Sequence, residues 1–258
     1  MPSNNKDIET PTSASTPTTP TKSSSFSSYW IPKSTSSTSN NELNNKTITL
    51  TSDPVYKKYS QSVDRSLASF LDVQEWADFI AFLAKLLKAF QTFGQYKEIP
   101  HKLIVAKRLS QCLNPALPTG VHQKALEMYD KVFTIIGIDG LKADLQMWSS
   151  GLFPFFQYAA TSVRQSVLDI YKTHYFPLQH HLRPVMKAFT LAILPGLEEE
   201  TGEYFDEVLE MLDYLSGVLS PQFFLQNIWL ILITSPSSRI PALNYLCRRI
   251  SNINHDNS

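Results

Sequence analysis

The feature that most constrains this chain is a helical rhythm that itself repeats. From Pro54 onward, apolar residues recur three and four positions apart, with almost no strand-like alternation. Val55, Tyr59, Val63, Leu67 and Phe70 mark a first stripe. Trp76, Phe79, Ile80, Leu83, Leu86, Leu87 and Phe90 mark a second, which ends at Gly94. Further stripes follow from Pro100, Val121 and Leu141, then from Ser162, Leu182 and Thr201, and finally from Pro221 and Arg239. Every second helix therefore begins near Pro54, Pro100, Leu141, Leu182 or Pro221, a spacing of about 40 residues that matches HEAT and armadillo arrays. One helical pair cannot bury its own apolar face, whereas stacked pairs can. The expected fold is all-α, a right-handed HEAT/armadillo-like α-solenoid of about five helical hairpins.

The boundaries follow from composition. Of the first 40 residues, 20 are Ser or Thr, too polar to offset chain entropy by burial. A disordered Ser/Thr/Pro-rich tail is expected over 1–53, the helical-repeat domain over 54–250 and a disordered end over 251–258. The tail holds Thr10-Pro11, Thr16-Pro17 and Thr19-Pro20. This makes Thr10, Thr16 and Thr19 candidate phosphorylation sites that would add negative charge to a flexible arm.

The run from Phe223 to Ile233 tests for a membrane span. It lasts about 12 residues, roughly 18 Å as a helix, against about 30 Å of hydrocarbon. Gln226 and Asn227 interrupt it, and Pro236 ends it. It reads as a buried helix whose start is signalled by Ser220 as N-cap and Pro221 at the first position. Ser162-x-x-Gln165 likewise fits a capping box. No basic segment followed by an apolar one opens the chain, and the first Arg is Arg65, so neither a secretory nor a transit signal is expected.

The 23 basic and 23 acidic side chains balance, so no global field draws the protein to nucleic acid. Cys112 and Cys247 fall within apolar helical patterns and read as small buried thiols in a reducing compartment. Phosphate-loop, dinucleotide, zincin and nucleophile-elbow motifs are missing, and Gly is scarce at 8 residues, so no enzyme and no cofactor is expected. His174, His180 and His181 read as a solvated loop rather than as metal ligands. The acids from Glu198 to Glu210 suit a helix N-terminus followed by a solvated face. Lys57, Lys58, Lys107 and Arg108 are the candidate partner or membrane contacts, provided they share one edge of the array.

Four ordered segments carry a resemblance: "YKKYSQSVDRSLASFLDVQEWADFIAFLAKLLKAFQ", "IPHKLIVAKRLSQCLNPALPTGVHQKALEMYDKVFTIIG", "LQMWSSGLFPFFQYAATSVRQSVLDIY" and "LRPVMKAFTLAILPGLEEETGEYFDEVLEML". Together they resemble the N-terminal domain of the Dopey family, from about Tyr56 to Ile250. The resemblance implies a non-enzymatic scaffold or adaptor in vesicle-mediated protein transport. It would be peripheral on the cytosolic side of Golgi, trans-Golgi network and endosome membranes. The implied partners are a Sec7-related scaffold and a P4-type flippase. The alternative is a helical module that binds anionic lipid directly. Family members are usually much longer, so functions seated in their C-terminal parts do not carry over.

Overall fold

The computed structural model describes residues 52–256, with side chains through residue 250. The candidate phosphorylation sites Thr10, Thr16 and Thr19 lie outside the described residues. Among the described residues there are helices and no strands. Five of the helices, α1 (Pro54–Ala68), α3 (Lys102–Cys112), α5 (Leu145–Leu152), α7 (Met186–Ile193) and α9 (Pro221–Thr234), form one layer. The other layer is α2 (Trp76–Thr92), α4 (Thr119–Ala143), α6 (Thr161–Ile170), α8 (Phe205–Leu219) and α10 (Arg239–Asp256). Within hairpins α1 packs on α2, α3 on α4 and α9 on α10, and between hairpins α3 packs on α5, α7 on α9, α2 on α4 and α4 on α6. This is the expected all-α solenoid of five hairpins. The last helix runs beyond Ile250, where a disordered end was expected, to Asp256.

The repeat is also written in the polar contacts between hairpins. His101 meets Ser60, Lys102 meets Asp144, and His174 meets Asp130, partners 41, 42 and 44 residues apart. Glu207 accepts from Gln165, and Tyr204 donates to the carbonyl of Thr161, 42 and 43 residues away. Farther along, Lys187 meets Thr234 and Asn244 meets the carbonyl of Leu197, both at a separation of 47. A sequence offset that stays between 41 and 47 residues is what similar stacking steps produce.

Side-chain caps set the first two helix starts. Asp53 accepts from the Val55 amide at 2.8 Å with Pro54 at the first position of α1. Glu75 and Asp78 form a capping box on α2, where Asp78 accepts from the Glu75 and Gln74 amides at 3.0 Å each. Those two bonds hold the Asp78 carboxyl below its ordinary value. Ser162 and Gln165 do not form the box their spacing suggested, and α6 begins at Thr161 with no side-chain cap. Ser220 does not cap α9 either; it sits at φ 75° in the tight corner between α8 and α9. Gly137, at φ 64°, kinks α4 instead of ending it, a conformation that costs glycine little.

The core runs the length of the array. At its centre Phe153 stacks on Phe189 with ring centroids 5.1 Å apart, and Tyr171 and Tyr175 pack around them edge-on or tilted. All four are buried, each worth about 1.5–3 kcal/mol of apolar burial relative to exposure. Ser149 donates to the Tyr175 hydroxyl at 3.2 Å, so that polar tip is satisfied inside the core. The stretch from Tyr171 to Val185, expected to be loop and helix, winds instead through a π turn and 3-10 turns. Pro177 and Pro184 cannot donate to an α-helical ladder, which favours those alternative windings.

Candidate interaction surface

The four expected contact residues occupy two neighbouring helices. Lys57 and Lys58 are exposed on α1, Lys107 is exposed on α3, and Arg108 is half-buried. Helices α1 and α3 run side by side in the same sense. His101, just before α3, touches Ser60 at 2.8 Å and Asp64 at 3.0 Å, while the Arg108 guanidinium lies 4.4 Å over the Phe70 ring. Lys58 and Phe70 are 12 positions apart, so the two basic pairs sit about 18 Å from each other along the strip. The structure does not gather them into one patch. Arg108 is also occupied, since its guanidinium donates to Gln111 at 2.9 Å as well as covering Phe70.

A different basic group converges instead. Arg65 on α1 and Lys85 and Lys88 on α2 line an open groove of about 410 Å³ with Ser62, Ser66 and Thr92. Sequence reading missed it because its cations come from two helices. The one local signal was the spacing of Lys85 and Lys88, three apart on a polar helix face.

Part of the acidic run is spent on the array itself. Asp206 and Glu207 occupy the first turn of α8 as expected. Glu207 pairs with Lys172 at 2.6 Å and Glu200 with Arg248 at 3.3 Å. Asp213 takes both Arg249 and the hydroxyl of Tyr245, at 2.9 and 3.0 Å. The histidines part company: His174 pairs with Asp130 at 2.8 Å, while the rings of His180 and His181 lie 4.0 Å apart. Burial, then the neighbouring His180 and Lys142, hold His181 below its ordinary value. Among the described residues no cluster of three or more His, Cys, Asp or Glu side chains is placed to hold a metal.

Exposed large apolar side chains concentrate on the last hairpin. On α9 the core side is Phe224, Ile228 and Ile231, while Leu225, Trp229, Leu230 and Ile233 face outward, Trp229 being 63% exposed. On α10 Ala242 and Tyr245 are buried, while Ile240, Leu243 and Ile250 are exposed, Ile240 at 67%. Cys247 belongs to this outer face, contrary to its expected burial; Cys112 is buried. The α9 run therefore is apolar all round without being enclosed all round. Among the described residues no helix is long and apolar enough to cross a membrane.

Such a chain defines an all-α helical-repeat protein. The profile described as "Dopey, N-terminal" matches residues 53–258, and the chain belongs to the Dopey family. It is similar to Protein DOP1B of Xenopus laevis, 44% identical over 207 residues that make up 80% of this chain. It is similar also to Protein dop1 of Emericella nidulans, 42% identical over 232 residues and 83% of the chain. Protein DOP1 of Saccharomyces cerevisiae is 33% identical over 220 residues, again 83% of the chain. The chain spans only 9 to 13% of the length of these relatives. No solved structure matches it.

Proposed function

We propose that this chain is a non-enzymatic scaffold in vesicle-mediated protein transport between Golgi and endosomes, held peripherally on the cytosolic side of those membranes. The observation that carries the scaffold reading is the exposed apolar face of α9 and α10 at one end of a stacked array. Exposed apolar patches of this kind mark protein contacts more often than they mark chemistry. The transport setting rests on membership of the Dopey family, and the partners it suggests are the Sec7-related scaffold and the P4-type flippase. Affinity purification of the full chain from cells, read by mass spectrometry, tests it. Recovery of either partner supports the reading, and recovery of neither by a folded chain removes it.

A second reading is direct binding of anionic lipid. The groove of Arg65, Lys85 and Lys88 favours it, because none of the three has an ion-pair partner among the described residues. Each basic side chain near an anionic surface adds about 1 kcal/mol. Flotation with vesicles of neutral and of anionic lipid separates the two readings. A pure scaffold stays in the soluble fraction with both.

A further inference from the structure

We propose that the outer face of α9 and α10 is a docking site for a further antiparallel pair of amphipathic helices, stacked in the register of the array. The proposal rests on the scaffold reading and names the partner chemistry of the same surface. The face is formed by Leu225, Trp229 and Ile233 on α9 and by Ile240, Leu243 and Ile250 on α10, all exposed. On each helix these residues lie on the side away from those that pack on the preceding hairpin.

Three observations select the occupant. First, the interface is continuous with one already built several times in the molecule. Helix α2 is covered by α4, α3 by α5, α4 by α6 and α7 by α9, in each case the next hairpin along. A hairpin in such an array has two apolar sides because it expects two neighbours. Second, the α9 half of the face lacks the charge that an acidic or basic ligand would need: its sequence PQFFLQNIWLILIT contains no charged residue. Third, the relatives supply the material. The matched segment amounts to 9% of the Xenopus laevis protein and 12% of the Emericella nidulans protein, and it corresponds to an N-terminal domain. The occupant we commit to is the stretch that follows the matched region in such longer proteins.

The test titrates the full chain with the stretch of the Emericella nidulans protein that directly follows its matched region, about 90 residues, or two hairpins at this period. Trp229 is the built-in reporter. The expected result is a saturable 1:1 complex with a blue shift of emission that Trp229→Phe abolishes. Ile233→Glu combined with Leu243→Glu should weaken binding at least tenfold while the helical circular dichroism stays unchanged. Should the added stretch not fold alone, hydrogen exchange is compared between two lengths of the Emericella nidulans protein, with and without it. Slower exchange of the α9–α10 counterpart in the longer one is then expected.

Unchanged Trp229 emission together with unchanged exchange overturns the proposal. A concentration-dependent dimer of the full chain lost on Ile233→Glu assigns the face to a second copy and overturns it too. A Trp229 shift produced by neutral lipid vesicles assigns it to membrane. Any of these outcomes with recovery of the trafficking partners intact leaves the scaffold reading standing, so the two can fail separately.

Discussion

Tyr96 donates its phenolic hydrogen to Asp53 across 2.5 Å, joining the residue that starts α1 to the turn that follows α2. One carboxylate thus closes the first hairpin and also caps its first helix. The bond from Tyr96, then that from the Val55 amide, holds the Asp53 carboxyl below its ordinary 3.8. The same bond, with burial, pushes the Tyr96 phenol up to about 12.

A pH dependence follows from those directions. A depressed carboxyl stabilises the fold above its unfolded value and loses that contribution as pH falls through the folded one. The phenol, being raised, stabilises below its unfolded value of 10.0 and is lost as pH climbs towards about 12. Asparagine still caps a helix, so Asp53→Asn isolates the charge. The thermal midpoint of Asp53→Asn is expected to lie below that of the wild-type chain at neutral pH. The gap should close as pH drops below the ordinary 3.8 of the carboxyl. A gap that persists in acid would contradict the assignment.

Gly151 sits where α5 packs on Ser110 of α3. A β-carbon there would lie 2.5 Å from Ser110 Cβ and 2.8 Å from the Tyr129 hydroxyl. Gly151→Ala is therefore expected to destabilise by about 1–3 kcal/mol, an overpacking cost. Gly217, on α8, has nothing within 4 Å of the same position. Gly217→Ala should stabilise by about 0.5–1 kcal/mol through reduced chain entropy. Urea midpoints of the two variants are expected to move in opposite directions.

The two thiols should separate in rate. Burial pushes the Cys112 thiol up to about 12, and Cys247 is exposed on α10. A thiolate reagent is expected to modify one cysteine quickly in the native protein and the second only after unfolding. Cys247→Ser should remove the fast phase. Survival of that phase would place Cys112 within reach of solvent.

The basic residues should separate by role. Lys57→Glu, Lys58→Glu and Lys107→Glu are surface changes expected to shift stability by no more than about 0.5 kcal/mol. Arg108→Glu removes a guanidinium from the Phe70 ring and sets a carboxylate there, and a cost of about 1–3 kcal/mol is expected. Association with membrane or partner is measured on the three lysine variants, since their fold is unaffected. Unchanged association in all three would dismiss Lys57, Lys58 and Lys107 as contacts.

Much of this was legible locally. Pro54, Pro221 and Pro236 fall at the starts of elements because proline lacks the donor a helix interior requires. The stripes containing Tyr59, Val63 and Leu67, or Val208, Leu212 and Leu215, are buried as their spacing predicts. Capping was less legible. Ser162 and Gln165 had the right types at the right spacing and formed no box, while Glu75 and Asp78 did. A cap depends on the backbone angle at which the chain enters the helix, and packing of the preceding turn sets that angle. The basic groove of Arg65, Lys85 and Lys88 had only the three-residue spacing of its two lysines as a linear signature, and Arg65 joins them from another helix.

The sequence by itself determined the all-α class, the period of about 40 residues and the approximate start of each hairpin. Each of those depends on neighbours within a few turns, where the 3.6-residue rhythm acts. Only the tertiary structure decided which apolar side of each helix meets another hairpin and which meets water. Phe224 and Trp229 belong to the same apolar run, five positions apart, yet one is buried and the other is 63% exposed. Periodicity states that a helix has an apolar face; the number of hairpins stacked against it decides whether that face is covered.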